Sequence, residues 1–100
     1  MDHFMLLVLG LFISAIGITN IKGNISTVHS YNRRKVKEED IPKYGKAMGT
    51  GSLIIGVSLV ISFITAFWNE AIMAFIILPA VVAGLAFMLY AQVKYNKGIF

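Results

Sequence analysis

The chain has 100 residues, no cysteine and only two prolines. Without thiols there are no disulfides, no thiolate nucleophile and no thiolate metal site. Charge is scarce as well: 14% of the residues are charged, against about 25% in an ordinary soluble domain. Hydrophobic residues make up 57%. Small domains bury the smallest fraction of their surface, so a water-soluble fold of this length cannot hide that much apolar area. The composition implies one domain with lipid as its solvent. The formal net charge of +4 does not point to nucleic acid; where the charges fall is more telling than their sum.

Three long runs lack charge altogether. They are FMLLVLGLFISAIGITNI from Phe4 to Ile21, MGTGSLIIGVSLVISFITAFW from Met48 to Trp68, and AIMAFIILPAVVAGLAFMLYAQV from Ala71 to Val93. At about 1.5 Å per residue the first and shortest is about 27 Å long, enough for a slightly thin bilayer. None holds an ionisable residue, although such residues usually mark proton and ion-coupled pathways. That argues against a small-multidrug-exporter-like mechanism, which needs a membrane carboxylate. Three-helix sugar half-transporters are nearer in size, but their proline–glutamine hinge in helix one is missing, and Pro79 lies in the third run. The first run also lacks the basic leader of a cleaved signal peptide: the chain starts MDHF, and the first lysine, Lys22, follows the run.

What basic charge there is falls on one side. Lys22, Arg33, Arg34, Lys35, Lys37, Lys43 and Lys46 lie between the first two runs, and Lys94 and Lys97 follow the third. Lys and Arg accumulate on the cytoplasmic side of membranes. Three spans require these two segments to share a side, and the charges agree. Tyr31, Tyr44, Tyr90 and Tyr95 are expected near the inner interface and Trp68 at the outer one. The expected fold is an all-α membrane protein with three transmembrane helices, amino end outside and carboxyl end cytoplasmic, in the cell (inner) membrane. Helix one is expected over about 4–21, a cytoplasmic loop over 22–40, helix two over 41–68, helix three over 71–93 and a cytoplasmic tail over 94–100. The short Asn69–Glu70 connection makes helices two and three an antiparallel hairpin.

The loop carries the polar chemistry. Residues 29–46 read HSYNRRKVKEEDIPKYGK. The acidic EED, followed by Pro42, suits the amino end of helix two, with Asp40 or Ile41 as cap and Lys43, Tyr44 and Lys46 facing headgroups. The basic RRKVK has two readings: an anchor that attracts anionic headgroups at about 1 kcal/mol per residue, or an arginine pair gripping a phosphate or carboxylate. Arg34–Glu38 and Lys35–Glu39 have i,i+4 spacing and support a short surface helix. His29 has no HExxH partner and no nearby cysteine, so neither a metal nor any other cofactor is expected. Gly23, Asn24–Thr27 and Asn32 read as turn residues; the Asn24-Ile25-Ser26 glycosylation pattern has no use on a cytoplasmic face. Thr19, Asn20 and Gln92, near the inner boundary, join His29, Tyr31, Asn32, Arg33 and Arg34 as a candidate polar or anion site.

The run GITNIKGNISTVHSYNRRKVKEEDIPKYGKAMGTG, residues 17–51, resembles a group of small, functionally uncharacterised membrane proteins of Gram-positive bacteria. They are about this long and share an HxYNRRxVxxED core. The likeness covers roughly a third of the chain. It implies a bacterial inner-membrane location and no particular chemistry, and no functional residue is carried over from it.

Small residues recur at helical spacing within the spans. Helix one offers Gly10, Ser14 and Gly17; helix two Gly45, Gly49, Ser52 and Gly56; helix three Ala80, Gly84 and Ala91. A second stripe on helix two, Gly51, Ser58, Ser62 and Thr65, gives it two packable faces, so it is expected to sit centrally against both other helices or a second protomer. The functional expectation is a non-enzymatic protein acting through helix packing, as an accessory, immunity or assembly component. Its partners would be anionic lipid and a homo-oligomer or another membrane protein. The alternative is a small oligomeric channel or carrier, for which Ser14, Ser58, Ser62 and Thr65 are the available polar face.

Overall fold

The computed structural model describes residues 3–25 and 36–97. Their backbone forms α1 (Phe4–Ile21), a 3₁₀ turn (Glu38–Asp40) that runs directly into α2 (Ile41–Thr65), and α3 (Ala71–Tyr95). No strand occurs among the described residues. All three helices are long and apolar enough to cross a membrane. The molecule measures 46 Å by 19 Å by 18 Å, its long axis close to the roughly 40–45 Å of a bilayer with its headgroups. His29, Tyr31, Asn32, Arg33, Arg34 and Lys35 lie outside the described residues, and with them the two i,i+4 pairs expected of the loop.

The helix ends follow local chemistry. α1 stops in a Schellman turn: Gly23 N–H donates to the Asn20 carbonyl at 2.9 Å and Asn24 N–H to the Thr19 carbonyl at 3.0 Å. Gly23 has φ +100° there, which a side chain would strain. Asp40 stands at the N-cap of α2, but its side chain makes no capping hydrogen bond. The reason is that Glu38–Asp40 already coil, leaving Asp40 at φ −95° and ψ −7° rather than in the extended geometry that a capping side chain needs. The acidic residues therefore serve this helix start by charge alone. α2 ends at Thr65, not at Trp68, because its last turn tightens: Phe67 N–H bonds the Ile64 carbonyl at 3.2 Å and Trp68 N–H the Thr65 carbonyl at 3.0 Å. Asn69 Oδ1 then accepts from Ala71 N–H at 2.9 Å, opening α3. α3 passes through Pro79 without interruption and reaches Tyr95 rather than Val93.

α2 lies between the other two helices, which hardly touch each other. Its contacts are backbone to backbone. A methyl group built on Gly17 of α1 would lie 2.8 Å from the Gly49 carbonyl oxygen, and one on Gly10 would lie 2.7 Å from that of Gly56. One on Gly84 of α3 would lie 2.7 Å from the Gly51 carbonyl oxygen. Gly45 rests on the Asn20 carbonyl and Gly56 on the Ser14 hydroxyl. Ser52 is buried; Ala80, half-buried, lines a shallow groove with Thr50, Leu53 and Ser58 of α2. The early part of α2 lies beside the late part of each neighbour. At the opposite end His3 Nε2 approaches Glu70 Oε1 at 3.5 Å.

The distribution of side chains is inverted relative to a water-soluble fold. Phe12, Phe75, Leu78 and Val82 point outward and are 64%, 79%, 65% and 69% exposed. Inside are glycines, Ser52, Ser58 and Ser62, with Asn20, Tyr44, Gln92 and Asn96 at one end. Among the described residues, the buried hydroxyls of Ser14 and Ser62 make no hydrogen bond. Gly49→Leu should therefore cost about 1–3 kcal/mol through overpacking against α1, read by reversible unfolding in mixed micelles. Ser62→Ala should cost nothing and gain up to about 1 kcal/mol, since an unpaired buried hydroxyl is a penalty; a clear loss would mean that the hydroxyl is bonded.

Candidate functional site: the polar end of the bundle

The polar groups gather where α1 ends, α2 begins and α3 ends. Gly45 allows α2 to pass directly over the last turn of α1 at the Asn20 carbonyl. The turn at Gly23 then brings Ile25 back onto α2, where its Cγ2 lies 3.1 Å from the position of a Cβ on Gly45. Among the described residues, Ile25, Tyr44, Met48 and Ala91 form the apolar core cluster, bordered by Val36, Ile41, Ala47, Met88 and Tyr95. Both ends of the basic segment, Ile25 and Val36, are thus anchored on the same few side chains.

Four polar side chains at this end of the bundle, Asn20, Tyr44, Gln92 and Asn96, are fully or almost fully buried. The Tyr44 hydroxyl donates to Gln92 Oε1, joining the first turn of α2 to the last turns of α3. Asn20 Nδ2 donates to the Asn24 carbonyl at 2.8 Å, closing the turn that follows α1. In a low-dielectric surrounding such bonds strengthen, and leaving either partner alone is costly. The arrangement therefore acts as a polar clasp at one end of an otherwise apolar bundle, its interhelical bond joining α2 to α3 and its Asn20 bond local to the end of α1.

Outside the clasp, Lys94 Nζ donates to the Tyr90 hydroxyl at 2.9 Å. The same amine stands 5.3 Å from the Tyr90 ring centroid and 5.6 Å from that of Tyr95, within cation–π range. The two rings meet edge to face at 6.2 Å. A lysine held between an exposed and a half-buried tyrosine is the pairing found where a helix leaves a membrane.

Sequence expectations meet this geometry unevenly. Asn20 and Gln92 are in the clasp. Thr19 is exposed and its hydroxyl donates to the Ile16 carbonyl at 2.8 Å, so it takes no part. Tyr44, expected among the headgroups, is instead fully buried, because the bond to Gln92 and the packing of Met48 and Ala91 hold it inside. One signal for this was present: Tyr44 precedes Gly51 and Ser58 at seven-residue spacing, on the face of α2 that meets α3. Asn96 gave none, since it lies beyond the apolar run. His29, Tyr31, Asn32, Arg33 and Arg34 fall outside the described residues. No group of three or more His, Asp or Glu side chains suited to a metal occurs among those described.

Tyr44→Phe should destabilise the bundle by about 1–2 kcal/mol by leaving the Gln92 oxygen without this donor. Combining it with Gln92→Leu should reveal a coupling energy of about 0.6–1.7 kcal/mol in a double-mutant cycle; strict additivity would remove the clasp. No protein-family model, curated protein or solved structure matches the chain, so the reading of this end of the bundle stands on its own residues.

Proposed function

We propose that the chain is an integral protein of a bacterial inner membrane that spans it three times and acts without catalysis, as an accessory, immunity or assembly component. In this reading the amino end is outside, the carboxyl end is cytoplasmic, and α2 and α3 form an antiparallel hairpin. The observation that carries it is the inverted bundle: bulky apolar side chains outward, glycine and polar groups inward. Such a molecule is stable only where its outer surface meets hydrocarbon.

Orientation rests on charge. All nine Lys and Arg residues lie in 22–46 and 94–97; the described ones, Lys22, Lys37, Lys43, Lys46, Lys94 and Lys97, are on the side of the polar clasp, which the positive-inside tendency makes cytoplasmic. The contact of His3 with Glu70 at the other end suits an amino end and an α2–α3 connection that share the outer side. The basic segment is the proposed contact with anionic headgroups.

Within the chain, α2 already uses its glycine faces to hold α1 and α3. A homo-oligomer or another membrane protein would therefore engage the bulky outward faces. The packing role is favoured over a channel because Ser58 and Ser62 are buried, the Ser58 hydroxyl donating to its own helix at the Ile55 carbonyl, 2.6 Å away, instead of facing water.

The absence of cysteine makes single-cysteine labelling straightforward. A membrane-impermeant maleimide should label Asn69→Cys in intact cells and Lys37→Cys only after permeabilisation. The reverse pattern would overturn the orientation. The protein in liposomes should pass no small solute above an empty-vesicle control, and measurable flux would displace the packing role in favour of a channel or carrier.

A further inference from the structure

A cleft opens at the end of the bundle opposite the clasp. It is lined by His3 and Phe4 at the start of α1 and by Phe63, Ala66 and Phe67 at the end of α2, and encloses about 450 Å³. That lies in the range of pockets that hold small organic ligands, about 300–1,000 Å³. Three of its five lining residues are phenylalanines. The Phe63 and Phe67 rings stand nearly perpendicular, 82° apart with centroids 5.3 Å from each other, and so form two walls of a corner. Aromatic faces carry negative quadrupole charge, and a cation desolvated between them is held better than a neutral group of the same shape.

The surrounding charge has the same preference. Glu70 is exposed, and its carboxylate lies 3.5 Å from the Nε2 of His3, a lining residue. No Lys or Arg occurs before Lys22 or between Lys46 and Lys94, so no cationic side chain from either stretch competes for that carboxylate. An anion at this site would meet ring faces and a nearby carboxylate; an organic cation would meet the phenylalanine ring faces, with Glu70, beside the lining residue His3, as the neighbouring negative charge.

We propose that this cleft is a binding site for a lipophilic organic cation, a quaternary ammonium, phosphonium or aromatic amine. The rings of Phe63 and Phe67 contact its apolar groups, and Glu70 supplies the counter-charge. The site stands on the geometry alone. Only its assignment to the outer surface rests on the orientation proposed above.

The test uses the full-length protein in detergent, where orientation has no influence. Tetraphenylphosphonium is the probe, equilibrium dialysis gives the affinity, and fluorescence of Trp68, the single tryptophan, which follows Phe67, reports local occupancy. Saturable binding is expected, and tetraphenylborate, an anion of the same shape dialysed in a separate experiment because the two ions precipitate together, should bind far more weakly. Phe63→Ala and Phe67→Ala should each weaken it about two- to fivefold. Glu70→Gln, at an exposed position that does not threaten folding, should weaken it about threefold or more. Lys46→Gln, at the other end, should leave the affinity unchanged. Equal affinity for tetraphenylborate, measured separately, would identify a slot for any apolar group and overturn the proposal. Unchanged affinity in both Phe67→Ala and Glu70→Gln, or the absence of saturable binding, would also overturn it. Failure here leaves the cysteine-labelling pattern untouched, and a reversed pattern moves the cleft to the other surface without altering binding in detergent, so the two readings fail separately.

Discussion

The close approach of α2 to both its neighbours is the constraint on which the rest of the molecule depends. At Gly10, Gly17, Gly49, Gly51, Gly56 and Gly84 the backbones meet with no room for a Cβ. In lipid, apolar side chains gain little by leaving the hydrocarbon, so contact area and the fit of backbone to backbone must hold helices together. Glycine contributes here by its absence of side chain: the helices come near enough for many weak dispersion contacts at once. A central helix with glycine on two faces organises a three-helix bundle in which the outer two hardly meet.

That packing leaves polarity to be dealt with at the ends. The middle of the bundle has almost no hydrogen-bonding side chains to satisfy, apart from serines turned onto their own helices or left unpaired. At one end the Tyr44–Gln92 bond of the clasp adds direction to an α2–α3 interface that glycine contacts alone would allow to slide, while Asn20 closes the turn after α1. At the other end the start of α1 and the end of α2 border a phenylalanine-lined cleft, and His3 approaches Glu70. The two ends differ in charge and in the side chains that line them.

Much of this was legible without coordinates. Three uncharged runs, the one-sided lysines and arginines, and the turn residues at Gly23 each carry their information in a short stretch of chain. The glycine spacing on α2 showed two faces able to pack, and the position of Asn20 and Gln92 in their runs put them at the same end of the bundle. Other features were not legible in the same way. Asp40 looks like a capping residue, yet it is coiled into a 3₁₀ turn that removes the geometry needed for capping. Tyr44 looks interfacial by type and position, but a partner on a helix distant in sequence draws it inside.

The sequence by itself determined the three helices long and apolar enough to cross a membrane and the segments in which the basic charge collects. Transfer free energy is nearly additive along a chain, and each residue contributes to it regardless of its neighbours. Only the tertiary structure decided that both small-residue faces of α2 are used within one chain, that Tyr44 belongs to a buried clasp, and that Phe4 and Phe67 wall one cleft. Those are properties of pairs of residues far apart in sequence, set by which helix faces meet and at what register, and no single stretch of the chain contains them.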